Sequence, residues 1–136
     1  MDPFNTLIIC LIIAALLPYI AKAPLAWAMK QHGGGKVGGY DNQEPRLQQQ
    51  QLSGFGARCL AAHENSFEAL QVFTASVLLV VATGNVNREM ALLAVLFVIC
   101  RVFYLICYWV NFDKLRSTVW AVGIISCFVM MFKCLN

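Results

Sequence analysis

The stretch Arg58-Cys-Leu-Ala-Ala-His63-Glu64-Asn65-Ser-Phe-Glu68 runs without a break into Ala69-Leu-Gln-Val-Phe-Thr-Ala-Ser-Val-Leu-Leu-Val-Val-Ala82. Its second half is almost wholly apolar, and a helical bilayer crossing needs about 20 residues. Its first half sets an arginine, a histidine, an asparagine and two glutamates at the entrance of that run. Ionisable groups at membrane depth are costly, so they point to function or to pairing.

Working outward, the rest of the chain agrees with a membrane setting. Of 136 residues, 60% are hydrophobic and 12% charged, where an average soluble protein has about 25% charged residues. Mean hydropathy is +0.66. Spans are expected over about 4–28, 55–83, 88–110 and 115–132, which uses most of the chain in one domain covering 1–136. The expected fold is all-α, a four-helix bundle integral to the membrane. The N-terminal run opens on an acidic segment and extends past a normal signal-peptide core, so it reads as a retained first span. Pro3 suits a first helical turn. Pro18 predicts a kink, and Pro24 an end or a second bend.

Between the first two spans, residues 31–54 read as a polar connecting loop. It holds a glycine-rich stretch, a turn at Asp41–Pro45 and a glutamine run, and part of it could cover a ligand pocket. The glycine spacing is not that of a phosphate-binding loop. Lys22, Lys30, Lys36, Arg46, Arg58, Lys114 and Arg116 flank one set of connections, and only Arg88 and Lys133 the other. This bias puts the loop and the entrance of the second span in the cytoplasm, and both termini on the opposite side, periplasmic in a bacterial inner membrane. Five of the six cysteines lie in or at the ends of apolar runs and read as small packing residues. No basic block suggests nucleic acid, no metal-ligand spacing surrounds His63, and no serine sits in a nucleophile elbow.

At 100° per residue Arg58, Asn65 and Glu68 share one broad face of the second span, Glu64 flanks it, and His63 points elsewhere. Glu68 lies about 15 Å along the axis from Arg58, inside the membrane, and needs a partner. Arg101, Tyr104 and Tyr108 line one face of the third span, with Arg101 deepest. A buried Glu68–Arg101 ion pair is therefore expected, either as a purely structural pair or with a direct ligand role. At the mouth, Arg58, Glu64 and Asn65 meet Tyr108 and the Arg116-Ser117 pair that opens the fourth span. Such a mixed polar site suits an anionic ligand with amide groups.

These residues carry a resemblance. Arg58-Cys-Leu-x-Ala-His63-x-Asn65-x-x-Glu68, Arg101-x-x-Tyr104-x-x-x-Tyr108 and Arg116-Ser117 resemble the signature of the MAPEG superfamily, the membrane-associated proteins in eicosanoid and glutathione metabolism. Microsomal glutathione transferase and microsomal prostaglandin E synthase are the members it is most like, in a bacterial-type version. The resemblance implies a homotrimer with glutathione sites at subunit interfaces. It implies that Arg116 activates the glutathione thiol with Ser117 beside it. Arg58, Asn65, Glu68, Tyr104 and Tyr108 fall at glutathione-site positions, and Arg101 matches the counter-ion of the glutamate. Membrane lipids, a lipophilic small-molecule substrate and a membrane-protein partner are further expectations. The sequence departs from the pattern at Ala57, Ala61 and Glu64, where the better-known enzymes have glutamate, arginine and arginine. Tyr104 replaces a histidine, and Trp120 stands where the prostaglandin enzyme has a tyrosine. Two functions stay open: a glutathione-dependent transferase or peroxidase, and an inactive trimer of the same fold that binds lipid or serves as an accessory subunit.

Overall fold

The computed structural model describes residues 2–32 and 38–135. The glycines at 33–35 and Lys36, one of the flanking cations, lie outside the described residues. Five helices follow in order: α1 (Pro3–His32), α2 (Pro45–Gln50), α3 (Gly54–Ala82), α4 (Arg88–Val110) and α5 (Asp113–Lys133). All but α2 are long and apolar enough to cross a membrane. The central pair is α3 and α4, with α1 packed along both on one side and α5 on the other.

The seams follow from residue spacing. In α1, Leu7, Ala14, Ala21 and Ala28 recur every seven residues, with Cys10, Leu17 and Leu25 between them, and all are buried. In α3, Cys59, Ala62, Ser66, Ala69, Phe73, Ser76 and Val80 do the same. A repeat of alternating three and four residues is the seam of helices packed at a shallow angle. Hydrophobic burial does not separate one membrane helix from another, because lipid is as apolar as leucine; small residues that allow close approach do that work. Gly123 is one such point: a Cβ there would stand 3.3 Å from the Cys100 Cβ on α4. Phe73 and Phe97 stack at 4.1 Å with their planes 9° apart and centre the larger core cluster. Ser76 Oγ sits within bonding distance of the Val72 carbonyl at 2.9 Å and the Cys127 carbonyl at 3.3 Å, so it joins α3 to α5 without an orphaned hydroxyl.

The ends are set locally. Gly84, at φ 71°, takes the left-handed position after α3, and Asn85 N–H then closes on the Val80 carbonyl at 3.0 Å. Asn87 caps α4 by accepting from Met90 N–H at 3.1 Å. At its other end Asn111, φ 63°, makes the left-handed cap, and Phe112 N–H returns to the Cys107 carbonyl at 2.9 Å. Lys133 and Glu89, 2.7 Å apart, tie the far end of α5 to the start of α4.

Two expectations need adjusting. Of the two alternatives at Pro24, an end or a second bend, the end is removed: the first helix continues to His32. A proline removes one backbone hydrogen bond, and the packing of Leu25 and Met29 against Cys59 of α3 keeps the helix going past that loss. The loop is also more structured than its composition suggests. At 30 and 29 residues, α1 and α3 are about 45 Å long at 1.5 Å per residue, against a hydrocarbon core of about 30 Å. Both are longer than the core requires, and at the loop end α2 packs back against α3 while its Gln48 reaches α1. Pro45 occupies its first turn.

Gln48 holds the loop there. It is 2% exposed. Its Nε2 donates to the carbonyls of Met29 at 3.2 Å and Gly39 at 2.7 Å, and its Oε1 accepts from Asp41 N–H at 2.9 Å. Gln48→Leu should leave these backbone groups unpaired, at about 1–3 kcal/mol locally. Hydrogen exchange should then speed up over residues 38–53 while the cores of α3 and α4 stay protected. Unchanged protection of 38–53 would contradict this role.

Candidate functional site

The polar groups of α3 and α4 meet through one another. Arg101 is 3% exposed. Its Nη2 donates to Asn65 Oδ1 at 3.0 Å, with the Asn65 backbone carbonyl at 3.4 Å. Asn65 Nδ2 in turn donates to Glu68 Oε2 at 2.8 Å. The orientation of the Asn65 amide is thereby determined, since a guanidinium only donates and a carboxylate only accepts. The direct Glu68–Arg101 pair expected from helix depth is not what forms. Asn65 stands between them as a relay, and Glu68 lies exposed on the outer side of α3. Residues 65 and 68 are three apart and share a face, so periodicity does not say which one a long arginine side chain reaches.

From Arg101 a stack runs toward the loop end. Arg101 Cζ lies 4.2 Å from the centroid of the Tyr104 ring. Tyr104 meets Tyr108 edge to face, centroids 5.1 Å apart and planes at 79°. Arg116 Cζ lies 4.3 Å from the Tyr108 centroid. Arg58 closes the group from α3: its Nε donates to the Tyr108 carbonyl at 3.1 Å, one of the last carbonyls of α4, and its guanidinium lies 5.9 Å from the Phe55 ring. Arg58 thus joins α3 to the end of α4 and is not a free cation at the mouth.

Arg116 closes the first turn of α5 and Ser117 follows it, next to the helix N-terminus where unpaired N–H groups concentrate positive potential. Among the described residues no carboxylate forms an ion pair with Arg116; its side chain contacts the Tyr108 face. Ser117 Oγ donates to the Asp113 carbonyl at 3.1 Å, which leaves its oxygen able to accept. The arrangement can hold an anion beside Arg116; the exposed Glu68 carboxylate lies at the other end of the stack, beyond Arg101 and Asn65.

Glu64 and His63 belong to a different place. They line a cleft of about 560 Å³ between α1, α2 and α3, together with Lys22, Tyr40, Arg46 and Gln49. His63 Nδ1 lies 2.8 Å from the Pro18 carbonyl. A carbonyl only accepts, so Nδ1 carries the proton and fastens α3 to α1. Tyr40, Arg46 and Gln48 escape a reading by hydropathy because they lie in a polar segment. The signals that mark the segment as built are Pro45 in a first helical turn and Asp41, whose Oδ1 accepts from Gln43 and Glu44 N–H.

A family model described as MAPEG family matches residues 6–136. No curated protein and no solved structure matches the chain.

Proposed function

The chain belongs to the MAPEG family, an integral multi-pass membrane protein, and on that footing we propose that it is a glutathione-dependent transferase or peroxidase for lipophilic substrates. The observation that carries this reading is Arg116: a guanidinium without a carboxylate partner among the described residues, held on the Tyr108 face in the first turn of α5. Bound glutathione would supply a thiol, whose ordinary pKa is about 8.5 and whose reactive form is the thiolate. Arg116 and the α5 N-terminus stabilise negative charge at that point. Tyr108 forms the wall beside Arg116, and we assign the further glutathione contacts to Asn65 and Glu68 on α3, at the Arg101 end of the stack.

We place the protein as a homotrimer in the bacterial inner membrane, with the loop end in the cytoplasm. The lopsided distribution of lysine and arginine supports that orientation. Glu68, Gln71 and Thr74 support the trimer: all are exposed on one side of α3, and polar groups at membrane depth favour contact with another helix over contact with lipid.

The alternative, a MAPEG-fold trimer that binds lipid or serves a membrane complex without catalysis, is favoured by Glu64. That carboxylate stands with Lys22 and Arg46 in the cleft, where the better-known enzymes present an arginine. Calorimetry of the purified protein with glutathione separates the two readings. Binding at millimolar glutathione or tighter, with thiolate absorbance near neutral pH, is the expected result. No heat at millimolar glutathione removes the enzyme reading.

A further inference from the structure

We propose that Tyr108 is the positioning residue for Arg116, and that it acts through the face of its ring. This rests on the reading of Arg116 as the cation that faces the thiolate. A guanidinium has five N–H donors, all in its plane. A carboxylate partner would occupy two of those donors and neutralise the charge. An aromatic face attracts the cation without using any donor in the plane. With Cζ 4.3 Å from the ring centroid, Arg116 is held in place while its N–H groups remain available to an anion.

Tyr108 is itself held from two directions. Tyr104, 5% exposed, packs against it edge to face. Tyr104 is held in turn by the buried Arg101 guanidinium, 4.2 Å from its centroid. Arg58 fixes the backbone of Tyr108 by donating to its carbonyl. Arg101, Tyr104, Tyr108 and Arg116 form a continuous cation–aromatic stack from the buried relay to the mouth. Two tyrosines on adjacent turns of α4 set its spacing, because residues four apart share a face. Arg116 is only partly buried. Without the ring, its long side chain would sample several rotamers and spend less time at the thiol.

The test uses the full-length protein in lipid nanodiscs with glutathione as the probe. Tyr108→Leu should lower the thiolate fraction of bound glutathione at fixed pH by about two- to fivefold, the range that a partly exposed cation–aromatic contact is worth. Tyr108→Phe, which keeps the ring and loses the hydroxyl, should restore most of the signal. If Tyr108→Phe falls as far as Tyr108→Leu, the hydroxyl is the working group and the positioning role is overturned.

A second readout needs no glutathione. The Arg116 Nε–H resonance, identified by its loss in Arg116→Lys, should lie upfield under the ring current. It should move toward the free-arginine position in Tyr108→Leu but not in Tyr108→Phe. If the wild type gives no thiolate signal, the proposed activity fails, yet the resonance still tests the stack. No movement in Tyr108→Leu overturns the stack itself.

Discussion

Asn65→Leu should destabilise the folded bundle by about 2–3 kcal/mol, the cost of removing the hydrogen-bond acceptor of a buried charge, and adding Arg101→Met should recover most of that loss. The single change keeps the size of the side chain but removes the Oδ1 that accepts from Arg101 Nη2 at 3.0 Å and the Nδ2 that donates to Glu68. Arg101, 3% exposed, would then keep the Tyr104 face but have only the Asn65 backbone carbonyl at 3.4 Å as an acceptor. The double change removes the charge together with its partner and leaves an apolar contact, which buried sites tolerate well. Glu68→Gln should cost about 1 kcal/mol or less, because Glu68 is exposed and reaches Arg101 only through Asn65. Denaturant titration in detergent micelles, followed by circular dichroism, gives all three values. A Glu68→Gln loss as large as that of Asn65→Leu would instead indicate a direct Glu68–Arg101 pair. A double mutant no more stable than Asn65→Leu would contradict the relay.

Much of the architecture is legible in the chain because membrane helices are long, apolar and bounded by polar turns. The α4 limits follow from Asn87 before it and Asn111 after it, one a side-chain cap and the other a left-handed residue. The depth match between α3 and α4 is legible as well, since both segments have a constant rise per residue. What fails is resolution within a face. Asn65 and Glu68 are both candidates for Arg101 by depth, and only the reach and direction of the arginine side chain choose between them. Glu64 fails differently. One helical turn from Glu68, it looks like part of the same site, yet it lines the cleft toward α1 and α2. The two carboxylates look out over different neighbours because α3 is wrapped on one side by α1 and on the other by α4 and α5. The loop is the least legible part. Its order depends on Gln48 reaching the Met29 carbonyl, 19 positions earlier, and hydropathy carries no trace of that contact.

These placements divide the polar residues of α3 into two sets with different consequences. Arg58, Asn65 and Glu68 connect to α4, through the Tyr108 carbonyl, the Arg101 guanidinium and the Asn65 amide respectively. His63 connects to α1 through Pro18. A substitution in the first set acts on the stack that ends at Arg116. A substitution at Glu64 acts on the cleft under α2 and leaves the stack in place. The departure of this chain from the better-known enzymes at Glu64 is therefore compatible with an intact stack at Arg116.

Arg116→Ala should raise the thiol pKa of bound glutathione by about 1–3 units, the range over which a neighbouring opposite charge shifts an acid. The sign follows from the charge: removing a cation beside the sulfur destabilises the thiolate, so a higher pH is needed to form it. At a fixed pH below both pKa values, each unit of rise is about a tenfold drop in thiolate. The α5 N-terminus survives the substitution and should keep part of the effect, about 0.3–1 kcal/mol, so the variant should stop short of the free-thiol value. Arg116→Lys should fall between the two. It restores the charge as a compact ammonium but lacks the planar fork that stacks on Tyr108 while presenting its N–H groups. Ser117→Ala should have the smaller effect, because the Ser117 hydroxyl already donates to the Asp113 carbonyl. Thiolate absorbance titrated against pH, with calorimetry to show that glutathione is bound in each variant, makes the comparison. A wild-type titration curve from Arg116→Ala with glutathione still bound would rule out Arg116 as the thiolate's counter-ion.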